Sequence, residues 1–182
     1  MKTLLIGIFL IGSYSLVHAQ DDPVGTVALE DVVISSDNIA VNSVNLDYIH
    51  KAVDDDTPTR VRDLEGHAAR FDITEADEYD SKFDAYEVIF KEDNGGEGRV
   101  VATYDSEGKI LKSYERFTNL MLPRAILSKV TREYPGWVIY KDTYLVSYYH
   151  GEDIDKVYKI QIKKGDERKN LKIGIDDNGK LK

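Results

Sequence analysis

An α+β fold, an antiparallel sheet with helices packed on one face and assembled from two tandem repeats, is what this 182-residue sequence predicts. Three observations lead there. Tyr158, Ile160 and Ile162 alternate with Lys159, Gln161 and Lys163, the period of a strand with one buried and one wet face. Leu122, Ile126, Val130 and Tyr134 recur every four residues, the stripe of an amphipathic helix. Finally, Tyr104-Asp105-Ser106-Glu107-Gly108-Lys109-Ile110 returns 71 positions later as Ile175-Asp176-Asp177-Asn178-Gly179-Lys180-Leu181.

The elements follow in chain order. Residues 1–19 read as a cleavable signal peptide: Lys2 supplies the positive end, 4–16 the apolar centre, and Val17-His18-Ala19 a small-residue cut before Gln20. A membrane anchor is the rival reading, but a span needs about 20 apolar residues and this run meets Gln20, Asp21 and Asp22 first. Residues 20–26 read as a disordered lead. A strand is expected over 27–34, and a short helix over 44–53 from the spacing of Leu46, Ile49 and Val53. Strands are expected over 60–63, 68–73, 83–91 and 99–104, with the acidic stretch 75–80 as a solvated loop. The second half predicts a strand over 110–117 and a helix over 122–134 opened by Pro123 and closed by Pro135-Gly136. Strands at 137–149, 157–163 and 170–176 complete it.

Two further matches support a duplication. Tyr86-Glu87-Val88-Ile89-Phe90-Lys91 parallels Tyr158-Lys159-Ile160-Gln161-Ile162-Lys163 at an offset of 72, and Pro58 parallels Pro135 after each expected helix. The repeats are therefore drawn at 27–109, the more divergent, and 110–182. Turn chemistry alone accounts for the Asp/Gly match, since both residues suit tight turns, but not for three matches in one order.

Leu122-Pro123-Arg124-Ala125-Ile126, the helix it opens, Tyr134-Pro135-Gly136-Trp137, the alternating strands and the closing Asp-x-x-Gly-Lys turn together resemble the PepSY-like, or beta-lactamase-inhibitor-like (BLIP-like), domains of bacterial envelopes. The resemblance covers 110–182 well and 27–109 weakly. It implies two units sharing one curved sheet, and a binding or inhibitory role rather than a reaction. No inhibitory loop matches residue by residue, so inhibition of a beta-lactamase is not carried over.

Composition narrows the function classes. The chain has no cysteine, which removes disulfides, thiolate metal sites and lipoprotein acylation. Its net charge of −9, or −10 once Lys2 is removed with the leader, argues against nucleic acid and against an anionic membrane surface. No Gly-x-Ser-x-Gly elbow occurs, and Gly95-Gly96-Glu97-Gly98 lacks the Lys-Ser/Thr of a phosphate loop. Beyond the leader, His50, His67 and His150 stand isolated in sequence, without metal-ligand spacing. Asp54 to Asp56, 75–80 and Asp176-Asp177 read as solvated loops rather than calcium sites, because spaced ligands are missing. No cofactor is expected.

The aromatic run between 134 and 158 is the candidate site. Strict alternation puts Tyr140, Tyr144 and Tyr148 on one face of a strand and Trp137, Ile139, Leu145 and Tyr149 on the other, more apolar one. The tyrosine row then lies on the open side of the sheet as a contact surface for another protein or peptide; the competing reading is that cross-strand tyrosines stabilise the sheet. The expectation is an exported, periplasmic or secreted, non-enzymatic binding module with no membrane span after cleavage. The alternatives are a small hydrolase or lyase using His67 or His150, and a structural envelope-stress protein with no discrete ligand.

Overall fold

The computed structural model describes residues 24–27, 43–93, 96–176 and 179–182. The expected signal peptide at 1–19 and the expected strand residues 28–34 lie outside them. The described chain forms seven strands and three α-helices: β1 (Val24–Val27), α1 (Leu46–Ala52), α2 (Thr59–Arg70), β2 (Ala85–Lys91), β3 (Arg99–Asp105), β4 (Ile110–Thr118), α3 (Arg124–Glu133), β5 (Val138–Tyr149), β6 (Asp155–Lys164) and β7 (Glu167–Ile175). The strands build one sheet in the order β1-β2-β3-β4-β5-β6-β7. Every neighbouring pair from β2 to β7 is antiparallel, and β1 adds to the edge parallel to β2. Residues 24–26, expected in a disordered lead, are therefore part of the sheet: Val24 to Val27 register with Ala85 to Val88.

One core lies between this sheet and the helices. α1 contributes Tyr48 and Ala52, α2 contributes Val61, Leu64 and Ala68, and α3 contributes Ile126 and Val130. From the sheet come Tyr86, Val88 and Phe90, then Val100, Ala102 and Tyr104, then Phe117, and on the last strands Tyr144, Val146, Tyr158, Ile160, Ile162 and Ile173. Each such fully buried large apolar side chain contributes roughly 1.5–3 kcal/mol relative to exposure. The period of two places these residues on one face, so the other is left to solvent.

α2 replaces the strands expected over 60–63 and 68–73. Val61, Leu64 and Ala68 are spaced by three and four, a helical stripe that the interposed charges and Gly66 disguised. Pro58 starts this helix as Pro123 starts α3, with nearly the same backbone angles (φ −56°, ψ 141° against φ −53°, ψ 144°). Pro58 thus opens a helix as Pro123 does, and it also follows α1 as Pro135 follows α3. The stretch 75–80 exposes Glu75, Asp77 and Glu78 as expected. It is nonetheless anchored, since Tyr79 stacks on Tyr86 with ring centroids 5.4 Å apart.

A one-residue bulge in β5 decides which face each tyrosine takes. Ile139 opposes Ile162 and Lys141 opposes Gln161, leaving Tyr140 as the extra residue. Before the bulge the sequence assignment holds: Trp137 and Ile139 pack against the core. After it the faces reverse. Tyr144 and Tyr148 are 2% and 1% exposed inside the core, whereas Tyr149 is exposed and Leu145 is half-buried on the opposite face. The placement of a tyrosine row on the open side is therefore corrected, and of its three members Tyr140 alone lies there, 39% exposed. Tyr144 instead stacks on Tyr158 at 4.4 Å, and Tyr148 meets Tyr48 edge-on at 5.2 Å.

Candidate functional site on the open sheet face

β4 to β7 alternate, so the residues between the core positions form the uncovered face. In register across it run Arg116, Leu145 and Val157; then Thr143, Lys159 and Lys172; then Lys141, Gln161 and Asn170; then Lys163 and Arg168 beside Tyr140. Lys159 stands directly opposite Lys172, and Lys163 directly opposite Arg168. Like charges paired across strands oppose folding. Arg116, Lys141, Lys159 and Lys172 have no carboxylate within ion-pair distance among the described residues. These four, with Thr143, Gln161 and Asn170, line a shallow depression of about 460 Å³. Six cations collected on one face of a chain whose net charge is −9 are a segregated patch rather than an average surface.

Tyr140 sits at the end of this patch. Its ring accepts Lys163 Nζ at 5.7 Å and Arg168 at 5.8 Å from the centroid, a cation–π arrangement that offsets part of their mutual repulsion. Nearby, Lys169 lies 4.7 Å from the Trp137 ring centroid and 5.5 Å from that of Tyr134. Nearer β4, Tyr114 and Tyr149 meet edge-on, their hydroxyls hydrogen-bonded.

The covered face of the same strands holds a second charged constellation. Glu65 of α2 and Glu115 of β4 are buried together. Glu115 Oε1 accepts from Tyr48 Oη at 2.8 Å and from Ser113 Oγ at 2.7 Å. If both carboxyls were ionised, both Glu65 oxygens and Glu115 Oε2 would lack a donor. A proton on Glu65 relieves this in part, because the acid can then donate to Glu115 while its other oxygen stays without a donor. Burial, then the charge of Glu115 and the hydrogen bond with it, hold the Glu65 carboxyl well above the usual carboxylate range. Burial also raises Glu115, against the lowering effect of its donors and of Lys156. Lys156, fully buried on β6, pairs with Asp54 at 2.9 Å. The buried set thus contains acids and one base, and the raised pKa values of the two glutamates favour holding a proton between them.

The histidines fall in separate places. His50 is exposed on α1. His67 lies half-buried on α2, where burial and then the charge of Arg70 hold its pKa below the usual histidine value. His150 Nδ1 is 3.2 Å from Tyr148 Oη and 3.6 Å from Asp47 Oδ2. Tyr148 Oη donates to Asp47 at 2.8 Å, which holds Asp47 below its usual range. This cluster joins α1 to β5. The depression on the open face contains no histidine, nor does a second one, large enough for about one water, beside Asp54 and Tyr144.

Among the described residues no three histidine or carboxylate side chains gather as metal ligands. Asp105 and Asp176 instead cap equivalent turns, each accepting the amide four residues on, from Lys109 at 2.9 Å and Lys180 at 2.8 Å. No helix among the described residues is long and apolar enough to cross a membrane. No protein family, curated protein or solved structure matches this chain.

The sequence did not single out the cations of the open face. Lys159 and Lys163 were visible as a wet edge of β6, but the register that sets Lys172 against Lys159 is a tertiary fact. Glu65 and Glu115 left a clearer trace: each shares a stripe with apolar residues, Glu65 with Val61, Leu64 and Ala68, Glu115 with Phe117.

Proposed function

We propose that this chain is an exported, non-enzymatic binding module that engages another protein or peptide through the open face of β4–β7. The observation that carries the reading is the asymmetry of the sheet. One face is sealed by three helices, while the other exposes, around a depression, cations that have no carboxylate partner among the described residues. A surface that accumulates unpaired like charge lowers the stability of the free protein, and an opposite charge brought by a partner relieves that cost. Tyr140 stays in the proposed contact surface; Tyr144 and Tyr148 serve it from beneath by packing β5 against β6 and α1.

Export is supported by the leader pattern at 1–19, and a periplasmic or secreted location follows from it. Descent from two tandem PepSY-like units is supported by the matching proline starts of α2 and α3 and by the equivalent Asp105 and Asp176 turns. The units have diverged in topology, since β1 is parallel to β2 while β4 is antiparallel to β5.

The test is affinity capture from envelope extract with the mature protein and with a Lys141→Glu/Lys159→Glu/Lys172→Glu variant of equal thermal stability. A protein retained by the wild type and released by the variant supports the reading. Equal retention by both places the contact elsewhere and sinks the open-face assignment.

A further inference from the structure

We propose that the occupant of this face is an extended acidic polypeptide segment bearing a carboxylate at every second residue. The proposal rests on the binding-module reading above and narrows the partner to one chemistry.

The lattice of the open face supplies the argument. Same-face side chains along a strand lie about 6.6–6.8 Å apart, and neighbouring strands about 4.8 Å apart. Along β6 and β7 three successive levels carry Lys159 with Lys172, then Gln161 with Asn170, then Lys163 with Arg168. Lys141 of β5 stands opposite Gln161 and brings a cation to the middle level. An extended peptide laid parallel to these strands presents alternate side chains at the same interval. Each of its inward carboxylates then meets a cationic level, and its outward positions are unconstrained. Gln161 and Asn170 offer amide donors and acceptors to the peptide's own backbone. A block of consecutive acids wastes half its charge, because every second side chain points away.

The size of the patch selects among polyanions. Three levels span about 13 Å and four strands about 14 Å. Past Lys172 the face carries Gly174 with the Lys182 side chain against it, and then Asp155 at the start of β6. A duplex or an anionic bilayer spreads its phosphates over an area wider than those limits. A short peptide ends within the patch.

The experiment uses fluorescence anisotropy on the full mature chain with two labelled peptides of identical length and composition, half glutamate and half threonine. In one the two residue types alternate; in the other all the glutamates precede all the threonines. The expected result is at least tenfold tighter binding of the alternating peptide. That binding should weaken with added salt, and Lys159→Glu/Lys172→Glu should reduce it at least tenfold. Circular dichroism and thermal unfolding establish that the variant is folded, and Lys159→Ala/Lys172→Ala provides a second variant without charge reversal. Equal affinity for the two peptides, or tighter binding of a DNA duplex or of phosphatidylglycerol vesicles, overturns the proposal. So does undiminished binding by both folded variants. If neither peptide binds while the triple open-face variant still loses its captured partner, the acidic assignment falls and the binding face stands; if capture is also unchanged, both fall.

Discussion

Replacing Glu65 with glutamine should change how the protein's stability depends on pH, and the size of the change follows from one proton. Glu65 has a folded-state pKa held well above the ordinary value by burial, by the charge of Glu115 and by their hydrogen bond. Between the unfolded value, about 4.3, and the higher folded value, the native state therefore binds one proton more than the unfolded chain. Stability is fully present below that window and is lost as pH rises through it, by about 1.4 kcal/mol per pH unit. Wild-type stability should therefore fall as pH rises from 5 through the raised pKa of Glu65.

The glutamine of Glu65→Gln keeps the shape of the acid and can donate its amide to Glu115, but it does not titrate. Groups facing the pair set the background: Tyr48 and Ser113 donate to Glu115, while Lys156, paired with Asp54, lowers both acids. Asp47 acts with the opposite sign, because its lowered pKa gives stability that is lost as pH falls, below the window of Glu65. Urea unfolding of wild type and Glu65→Gln at pH 5, 6, 7 and 8 isolates the effect as a difference between two curves. The variant should lie close to wild type near pH 5 and gain on it as pH rises. Parallel profiles, with a difference constant to about 0.5 kcal/mol across that range, would refute the shared proton.

Three further outcomes test the packing and the patch. Asn45 is buried, donating to Gly108 O at 3.0 Å and Ala69 O at 3.3 Å and accepting from Ile110 N at 2.8 Å. Asn45→Ala leaves those backbone groups without partners and should cost about 2–3 kcal/mol in urea unfolding. A Cβ on Gly98 would stand 2.6 Å from the Phe117 ring and 2.5 Å from the Glu92 carboxyl, which Arg60 holds bidentately. Gly98→Ala should therefore destabilise by about 1–3 kcal/mol, read as a lowered urea midpoint. Lys159→Glu converts the repulsive pair with Lys172 into an attractive one and should stabilise by about 0.5–1 kcal/mol in low salt, with the gain in melting temperature shrinking in high salt.

Most of the strand pattern was legible because β2 to β7 each have one covered face, so the period of two survives in the sequence. α2 was not legible in the same way. Its stripe is short of large apolar residues, ending in Ala68 and Ala69, and Glu65 interrupts it with a buried carboxyl that faces Glu115. A polar residue in a core stripe reads as a break in the pattern until its partner is known, and that partner lies 50 residues away on another element. Asn45 was hidden for the same reason, since its three hydrogen bonds all reach distant backbone.

The open face shows how little sequence information separates one surface from another. Alternation sorted β5 correctly as far as Ile139, and a single extra residue at Tyr140 reversed the faces for the rest of the strand. Nothing local demanded that bulge. Its consequence is that Asp142, Tyr144, Val146 and Tyr148 turn inward beneath the helices, while Lys141 joins the cations of β6 and β7. Removing Tyr140 from the chain should therefore be tolerated about as well as replacing it: with the extra residue gone, Ile139 still opposes Ile162 and Lys141 still opposes Gln161, so regular alternation keeps Ile139 and Tyr144 inward and Lys141 outward. Urea unfolding of the deletion beside Tyr140→Ala checks this, and a midpoint for the deletion far below that of Tyr140→Ala would mean that β5 needs the extra residue to hold its register. The bulge is thus what allows β5 to cover the core with its tyrosines and still contribute Tyr140 and Lys141, two adjacent residues, to the same open face.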